Sequence, residues 1–133
     1  MQVQPGIYIK FVFTGANLAN AIGKAVAFST DEGEVRLATD DDVGFAGIIQ
    51  AVDAGKSLAV EGDNVNVCNE GVLEVIADGA VLYGDTVALG TDGTVKAIPA
   101  DATQSVANIK LTIGRALEDA SNGEVFKALI HAK

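Results

Sequence analysis

The residues of this chain that could do chemistry are few, and none arrives with the partners its chemistry requires. His131 is the only histidine. A nucleophile–imidazole–carboxylate arrangement needs an imidazole held in a fixed orientation, and a position two residues from the end of the sequence is poorly suited to that. Cys68 is the only cysteine, which excludes an intramolecular disulfide and a zinc cage of several thiolates. It sits in a strand-like run where a small buried hydrophobe is expected rather than a reactive thiol, which would need a nearby cation. Asp40-Asp41-Asp42 is the densest acidic run, but it lacks the alternating ligands and closing Glu of a calcium loop and reads as a solvated loop. Asp31-Glu32 and Glu118-Asp119 would serve glycoside hydrolysis only if they faced one cleft, and a chain with no Trp and 5% aromatics lacks the usual sugar-stacking platform. The glycines spell neither G-x-x-x-x-G-K-[ST] nor G-x-G-x-x-G. No catalytic residue, metal site or cofactor is therefore expected.

Two arginines, Arg36 and Arg115, fall in strand-like segments. Arginine is enriched at protein interfaces because its planar fork pairs with carboxylates, so these two are candidate interface residues; a solvated strand face accounts for them equally well.

The elements around these residues repeat. Gly23–Ala38 reads GKAVAFSTDEGEVRLA and Gly84–Ile98 reads GDTVALGTDGTVKAI. Each is a Gly, a charge, an apolar run, an acidic corner ending in Gly, and then x-Val-basic. Gly47–Val60 (GIIQAVDAGKSLAV) and Gly114–Ile130 (GRALEDASNGEVFKALI) form a second pair. Two unequally spaced copies point to a duplicated hairpin pair within one small β-domain rather than an open solenoid.

Strand signals dominate the rest. Hairpins are expected around Asp31-Glu32-Gly33, Ala54-Gly55, Asn69-Glu70-Gly71, Asp92-Gly93 and Asn122-Gly123, because tight turns need residues that tolerate positive φ. The Ala54-Gly55 corner should join 45–52 to 57–61, and the Asn69 corner should join 65–68 to 72–77. A short helical turn is expected over 17–22, and a turn or surface loop over 99–106. Turn punctuation roughly every 8–12 residues predicts an all-β barrel or sandwich. Residues 1–14 are more aromatic and outside the repeat; they read as an N-terminal arm or edge strand, with 15–133 as the β-domain containing the duplication (about 23–60 and 84–130).

The 133 residues fit one domain, and the core they offer is Val, Ala, Leu and Ile: 49% of the chain is hydrophobic. Eighteen acidic against nine basic residues give a formal charge of −9. That balance argues against nucleic acid, whose phosphates are met by Lys and Arg, and against anionic membranes. It suits solubility or a basic partner. No run approaches the roughly 20 apolar residues of a membrane span, and the first residues lack the form of a signal peptide, so a reducing, soluble compartment is expected.

Residues 44–49, 53–60, 70–75, 80–87 and 113–120, taken in that order, resemble segments of the capsid cement (head decoration) proteins of tailed phages. Gly44-Phe45-Ala46-Gly47-Ile48-Ile49, Asp53-Ala54-Gly55-Lys56-Ser57-Leu58-Ala59-Val60 and Glu70-Gly71-Val72-Leu73-Glu74-Val75 are similar to that family's "G-V-A…D-A-A-A-G-x-x-V-x-V…x-G-V-x-x-V" rhythm. Ala80–Val87 resembles "I-x-x-G-D-x-V-Y", with Tyr83 placed before the Gly-Asp, and Ile113–Ala120 resembles "I-G-x-A-L-x-A-A". The resemblance spans 23–130; Met1–Gly15 departs from the family's usual start. It implies a compact, β-tulip-like, non-enzymatic homotrimer on the outer surface of the expanded head, at three-fold and local three-fold positions, with the phage major capsid protein as partner and the host cytoplasm as the place of assembly. On this basis Val3, Ile7, Ile9, Phe11 and Phe13 are candidate capsid-binding residues, added as a strand to a capsid-protein edge, and Arg36 and Arg115 are candidate trimer-interface residues. An ordinary core strand is the rival reading of 7–13.

Three other readings compete. A biotinyl- or lipoyl-like carrier is suggested by G-D-T-V…G-T-D-G-T-V-K, but it needs its lysine at a hairpin tip, and Lys96 is expected within a strand. A small-ligand β-clip domain would need convergent ionisable groups in a pocket. A tail-tube or fibre component would need long insertion loops or helices.

Overall fold

The computed structural model describes residues 8–39, 44–98 and 112–131. The Asp40–Asp42 run, the 99–106 segment, Val3 and Ile7 lie outside them. The described chain is all-β. Ten strands run in order: β1 (Tyr8–Phe13), β2 (Ala25–Phe28), β3 (Glu34–Leu37), β4 (Phe45–Val52), β5 (Asn64–Cys68), β6 (Glu70–Ile76), β7 (Thr86–Leu89), β8 (Val95–Ile98), β9 (Thr112–Ala116) and β10 (Val125–His131). Single 3-10 turns at Asp53–Gly55 and Thr91–Gly93 complete the elements. In these turns Ala54 and Asp92 take left-handed φ of 62° and 51°, a conformation that costs a side-chain-bearing residue energy and is tolerated best by Asp and Asn.

The first five strands close into a barrel in the order β1-β3-β2-β4-β5, and the last five form a sheet in the order β6-β10-β9-β7-β8. These are one arrangement used twice. Pairing β1 with β6, β2 with β7, β3 with β8, β4 with β9 and β5 with β10 maps one strand order onto the other. The hydrogen bonds follow. Phe13 N–H to Asp63 C=O recurs as Ala77 to Glu124, Thr14 to Val35 as Asp78 to Val95, Gly23 to Ile49 as Gly84 to Ala116, and the reciprocal Leu18–Ala59 pair as Val81–Ala120. Both copies carry a bulge at the same place, after Val26↔Gly47 and after Val87↔Gly114. The repeat is thus a whole five-stranded unit, larger than the hairpin pair legible in the sequence, and it includes β1 and β6. Tyr8–Phe13 is a barrel strand, antiparallel to β5 over its first five residues and parallel to β3 at Val12 and Phe13.

Two expected hairpins differ. β4 pairs with β5 (64–68) instead of 57–61, which contributes only the bridge Leu18↔Ala59. β5 and β6 do not pair across Asn69: β5 belongs to the barrel, while β6 pairs with β10 along its full length. Only β6's pairing with β10 sets Leu73 opposite Ala128 and Val75 opposite Phe126 on the core side, so burial of the alternating side chains outranks the local turn signal. Asn17–Ile22 forms turns beside the Leu18 bridge, with Asn20 at φ 52°, instead of a helical turn.

Two apolar clusters hold the molecule. One fills the barrel: Phe13, Leu18, Val26, Val35, Ile49, Val52, Ala59, Val65 and Val67, with Phe11 and Leu37 partly buried against it. The other fills the second unit (Val75, Val81, Val87, Val95, Ile113, Ala116, Phe126, Ala128) and continues without a break into Ala25, Ala27, Ala38, Ile48 and Cys68 of the first. In the barrel strands, residues facing in and out alternate, so those five point outward from the first barrel and are buried by the second unit.

Candidate functional site

Ionisable side chains do not converge in the described residues. No group of three or more His, Cys, Asp or Glu could hold a metal ion there. His131 ends β10 on its exposed side. Cys68 is fully buried, with its thiol directed at the Glu70 carbonyl at 3.2 Å. Asp31-Glu32 sits on the β2–β3 corner and Glu118-Asp119 follows β9. The second pair is occupied structurally, Asp119 accepting the Tyr83 amide at 2.8 Å and Glu118 the Lys127 amide at 2.8 Å. Lys96 lies inside β8, opposite Ala88, and not at a hairpin tip. A groove of about 230 Å³ between the two units is lined by Ile22, Gln50, Leu73, Glu74, Ile76 and Val125, with one ionisable side chain among them.

Two carboxylates are held below their ordinary range, both by structural hydrogen bonds. Asp63 accepts from the Lys56 ammonium at 2.8 Å and the Val60 amide at 2.9 Å. Asp78 accepts from the Thr91 amide at 3.0 Å and the Thr91 hydroxyl at 2.8 Å. Charges stabilised in this way tie corners together; neither lines a cavity with a second titratable group of shifted pKa.

What the surface does present is apolar. Leu82 and Tyr83 are 61% and 73% exposed on the loop entering β7, Val125 60%, Phe28 53%, Ile22 52%, and Ile9, Leu117 and Leu129 lie between 36% and 43%. Singly exposed apolar side chains are ordinary on a small domain; only where they adjoin one another do they make a surface that can meet other molecules. The residues singled out from the sequence divide among these surfaces. Phe13 is buried inside the barrel. Phe11 is half-buried, its ring edge-on to Phe28 with centroids 5.9 Å apart. Ile9 is partly exposed at the same end of the barrel. Arg36 sits opposite Ala27, whose side chain is buried where the two units meet. Arg115 is exposed in the middle of the second sheet, between Thr86 and Leu129, and donates to the Gly84 carbonyl at 3.2 Å. The structure therefore does not bring the two arginines to one site. Leu82, Tyr83, Phe28 and Leu129 were not visible as surface residues in the sequence, because an apolar side chain in a strand or corner reads as core until its neighbours are known.

Comparison with known proteins agrees with this picture. No curated protein matches the chain in sequence. In structure it is similar to "head fiber gp8.5 N base in bacteriophage phi29", at 19% identity, with 93% of this chain and 92% of that one aligned and a TM-score of 0.63. At that identity the likeness speaks for the fold alone. The sequence also matches, over residues 9–131, the family described as "Structural cement protein (E217 gp24/Pam3 gp6)". With nearly the whole chain matched, this protein belongs to that family of phage structural cement proteins.

Proposed function

We propose that this protein binds the outside of the expanded phage head as a homotrimer, at three-fold and local three-fold positions, and stabilises the lattice of the major capsid protein. Membership of the cement family over residues 9–131 carries the reading; a virion structural role follows from it directly. Several modest contacts made at once by a trimer give steep avidity, and the −9 charge keeps the protein off the packaged genome.

Capsid contact falls to the chain ahead of β1, through Val3 and Ile7. Of the other three arm candidates, Phe13 fills the barrel, Phe11 rests on Phe28, and Ile9 lies on β1 beside them. Deleting residues 1–7 leaves all of β1 in place and is the cleaner truncation. The expected product is folded, self-associated and absent from the pellet when sedimented with empty expanded heads, whereas the full chain pellets with them. Equal pelleting of both proteins would remove the arm from the mechanism; failure of the full chain to pellet would remove the cement role. The biotinyl/lipoyl-like alternative predicts an added mass on Lys96, which intact-mass spectrometry of protein from infected cells reads.

A further inference from the structure

The joint between the two units leaves half of itself unused at each end of the molecule. In the first unit the outward row Ala25–Ile48–Cys68, three residues directly opposite one another on β2, β4 and β5, is fully buried by the second unit. The corresponding row in the second unit is Thr86–Arg115–Leu129, in the same register on β7, β9 and β10. It is open, with Arg115 exposed and Leu129 43% exposed. The receiving side shows the same asymmetry in reverse. The second unit takes the first against Leu73, Val75 and Leu89, which are 4%, 0% and 1% exposed. Their counterparts in the first unit, by strand register, are Ile9, Phe11 and Phe28. Ile9 is 38% and Phe28 53% exposed, and Phe11 is only half-buried.

The glycine corners agree. A Cβ at Gly23, on the covered row's side, would touch the Glu74 carbonyl oxygen at 3.5 Å, and one at Gly93, on the receiving side, would strike Leu37 Cδ1 at 2.6 Å. Their counterparts Gly84 and Gly33 have nothing within 4 Å. The Ala25–Ile48–Cys68 row, the Leu73–Val75–Leu89 set and the two glycine corners thus each have a less covered twin on the other unit, whereas Ala27 and its twin Ala88 are buried in both.

From this we infer that copies of the chain associate head to tail, the Thr86–Arg115–Leu129 face of one seated on the Ile9–Phe11–Phe28 end of the next, at positions equivalent to those joined within each molecule but against a first unit whose seam β1 and β3 already close. The occupant is a second copy of this chain because counterparts of both halves of the internal joint lie uncovered on one molecule, one on each unit. The side chains suit a joint that forms after folding. Where the internal joint sets Ile48 in a cluster with Val75 and Leu89, the external one sets a guanidinium against the Phe11 and Phe28 rings. An exposed cation needs little desolvation in the free state and gains from an aromatic face. Such an interface is heterologous, so a rotation that closes gives a ring and one that does not gives a filament. The inference deepens the self-association part of the proposed function and makes no use of the capsid part.

Complementation tests it. Arg115→Glu spoils the face and leaves the receiving end; Phe28→Lys spoils the end and leaves the face. Both positions are exposed, and circular dichroism with urea unfolding confirms that the variants are folded. By size-exclusion chromatography with light scattering, wild type is expected to be associated, each variant to run as a monomer, and their equimolar mixture to recover a 1:1 dimer and nothing larger, since one intact face meets one intact end. Leu129→Lys with Ile9→Lys repeats the test at independent positions. A monomeric wild type, variants that still associate, or mixtures that stay monomeric would each overturn the joint, including the case in which the chain's own first residues cover the receiving end. Sedimentation with empty heads separates the two readings: wild type that binds shells while the variants still associate refutes this joint and leaves the cement role standing. Complementation by variants of a wild type that ignores shells does the reverse.

Discussion

The two units of this molecule share a strand order, a bulge position and a set of corner hydrogen bonds, yet only the first is a closed barrel. The difference lies at one seam. In the first unit β1 and β3 make two parallel pairs, Val12↔Glu34 and Phe13↔Val35; in the second, β6 and β8 keep only the bridge Ala77↔Val95. The second unit's core is continuous with the outer face of the first, whose small residues Ala25, Ala27, Ala38 and Cys68 allow close approach. One barrel thus supplies the missing wall of the other. A repeated backbone plan need not give repeated surfaces: the same positions are interior in one copy and exterior in the other, and their side chains record which.

Reversing one such position should give the largest effect. Ile48 and Arg115 occupy equivalent places, the first fully buried and the second exposed. Ile48→Arg places an unpaired charge in the core and is expected to cost about 4 kcal/mol, read as a lowered urea midpoint. Arg115→Ile should move that midpoint by no more than about 0.5 kcal/mol. Similar values for the two would erase the distinction between the units. Next come the bulge glycines, where the units should behave alike. A Cβ at Gly47 (φ +149°) would lie 2.7 Å from the Cys68 carbonyl oxygen, and one at Gly114 would overlap the Leu129 carbonyl. Alanine at either is expected to destabilise by about 2–3 kcal/mol; a loss confined to one unit would show that the bulge matters to only one barrel.

A smaller effect belongs to Asp78, whose counterpart in the first unit is Thr14. Its carboxyl is depressed by the Thr91 donors, so the folded state holds a proton less tightly than the unfolded chain. The stabilisation is complete above the ordinary value of 3.8 and disappears as pH falls through the lower folded value. Asp78→Asn should therefore be less stable than wild type at neutral pH and indistinguishable from it at strongly acidic pH. A gap that persists in acid would assign the effect to packing. Least of all, Lys56→Met removes the partner of Asp63, a pair whose lysine is exposed and whose carboxylate is half-buried. A barely changed urea midpoint, with a rise in the Asp63 pKa followed by NMR titration, is the expected outcome.

Much of the fold could be read from the residues. Asp92-Gly93 and Asn122-Gly123 stand at corners as turn chemistry requires, and the Gly23/Gly84 and Gly47/Gly114 alignments are structural equivalences. The full size of the repeat was hidden because β1 (YIKFVF) and β6 (EGVLEVI) share no residue pattern; they share only a place in the hydrogen-bond ladder. Pairing of β4 with β5 over the nearer 57–61 was hidden for a similar reason: loop length favours the closer run, while the barrel's closure favours the farther one. The interaction surfaces were least legible. Arg115 was singled out for its type, but its neighbours Thr86 and Leu129 are 29 and 14 positions away in sequence and become a face only once three strands lie side by side.

A single residue, Asn69, separates the end of β5 from the start of β6. One extended residue reaches at most roughly 3.5 Å, so the two units have no slack between them. Tension along the chain is delivered at once to the ladders that anchor Cys68 and Glu70, and cannot be absorbed by a hinge. A molecule gripped at opposite ends therefore behaves as a strut: it stays stiff under load until strand pairs unzip, instead of stretching gradually.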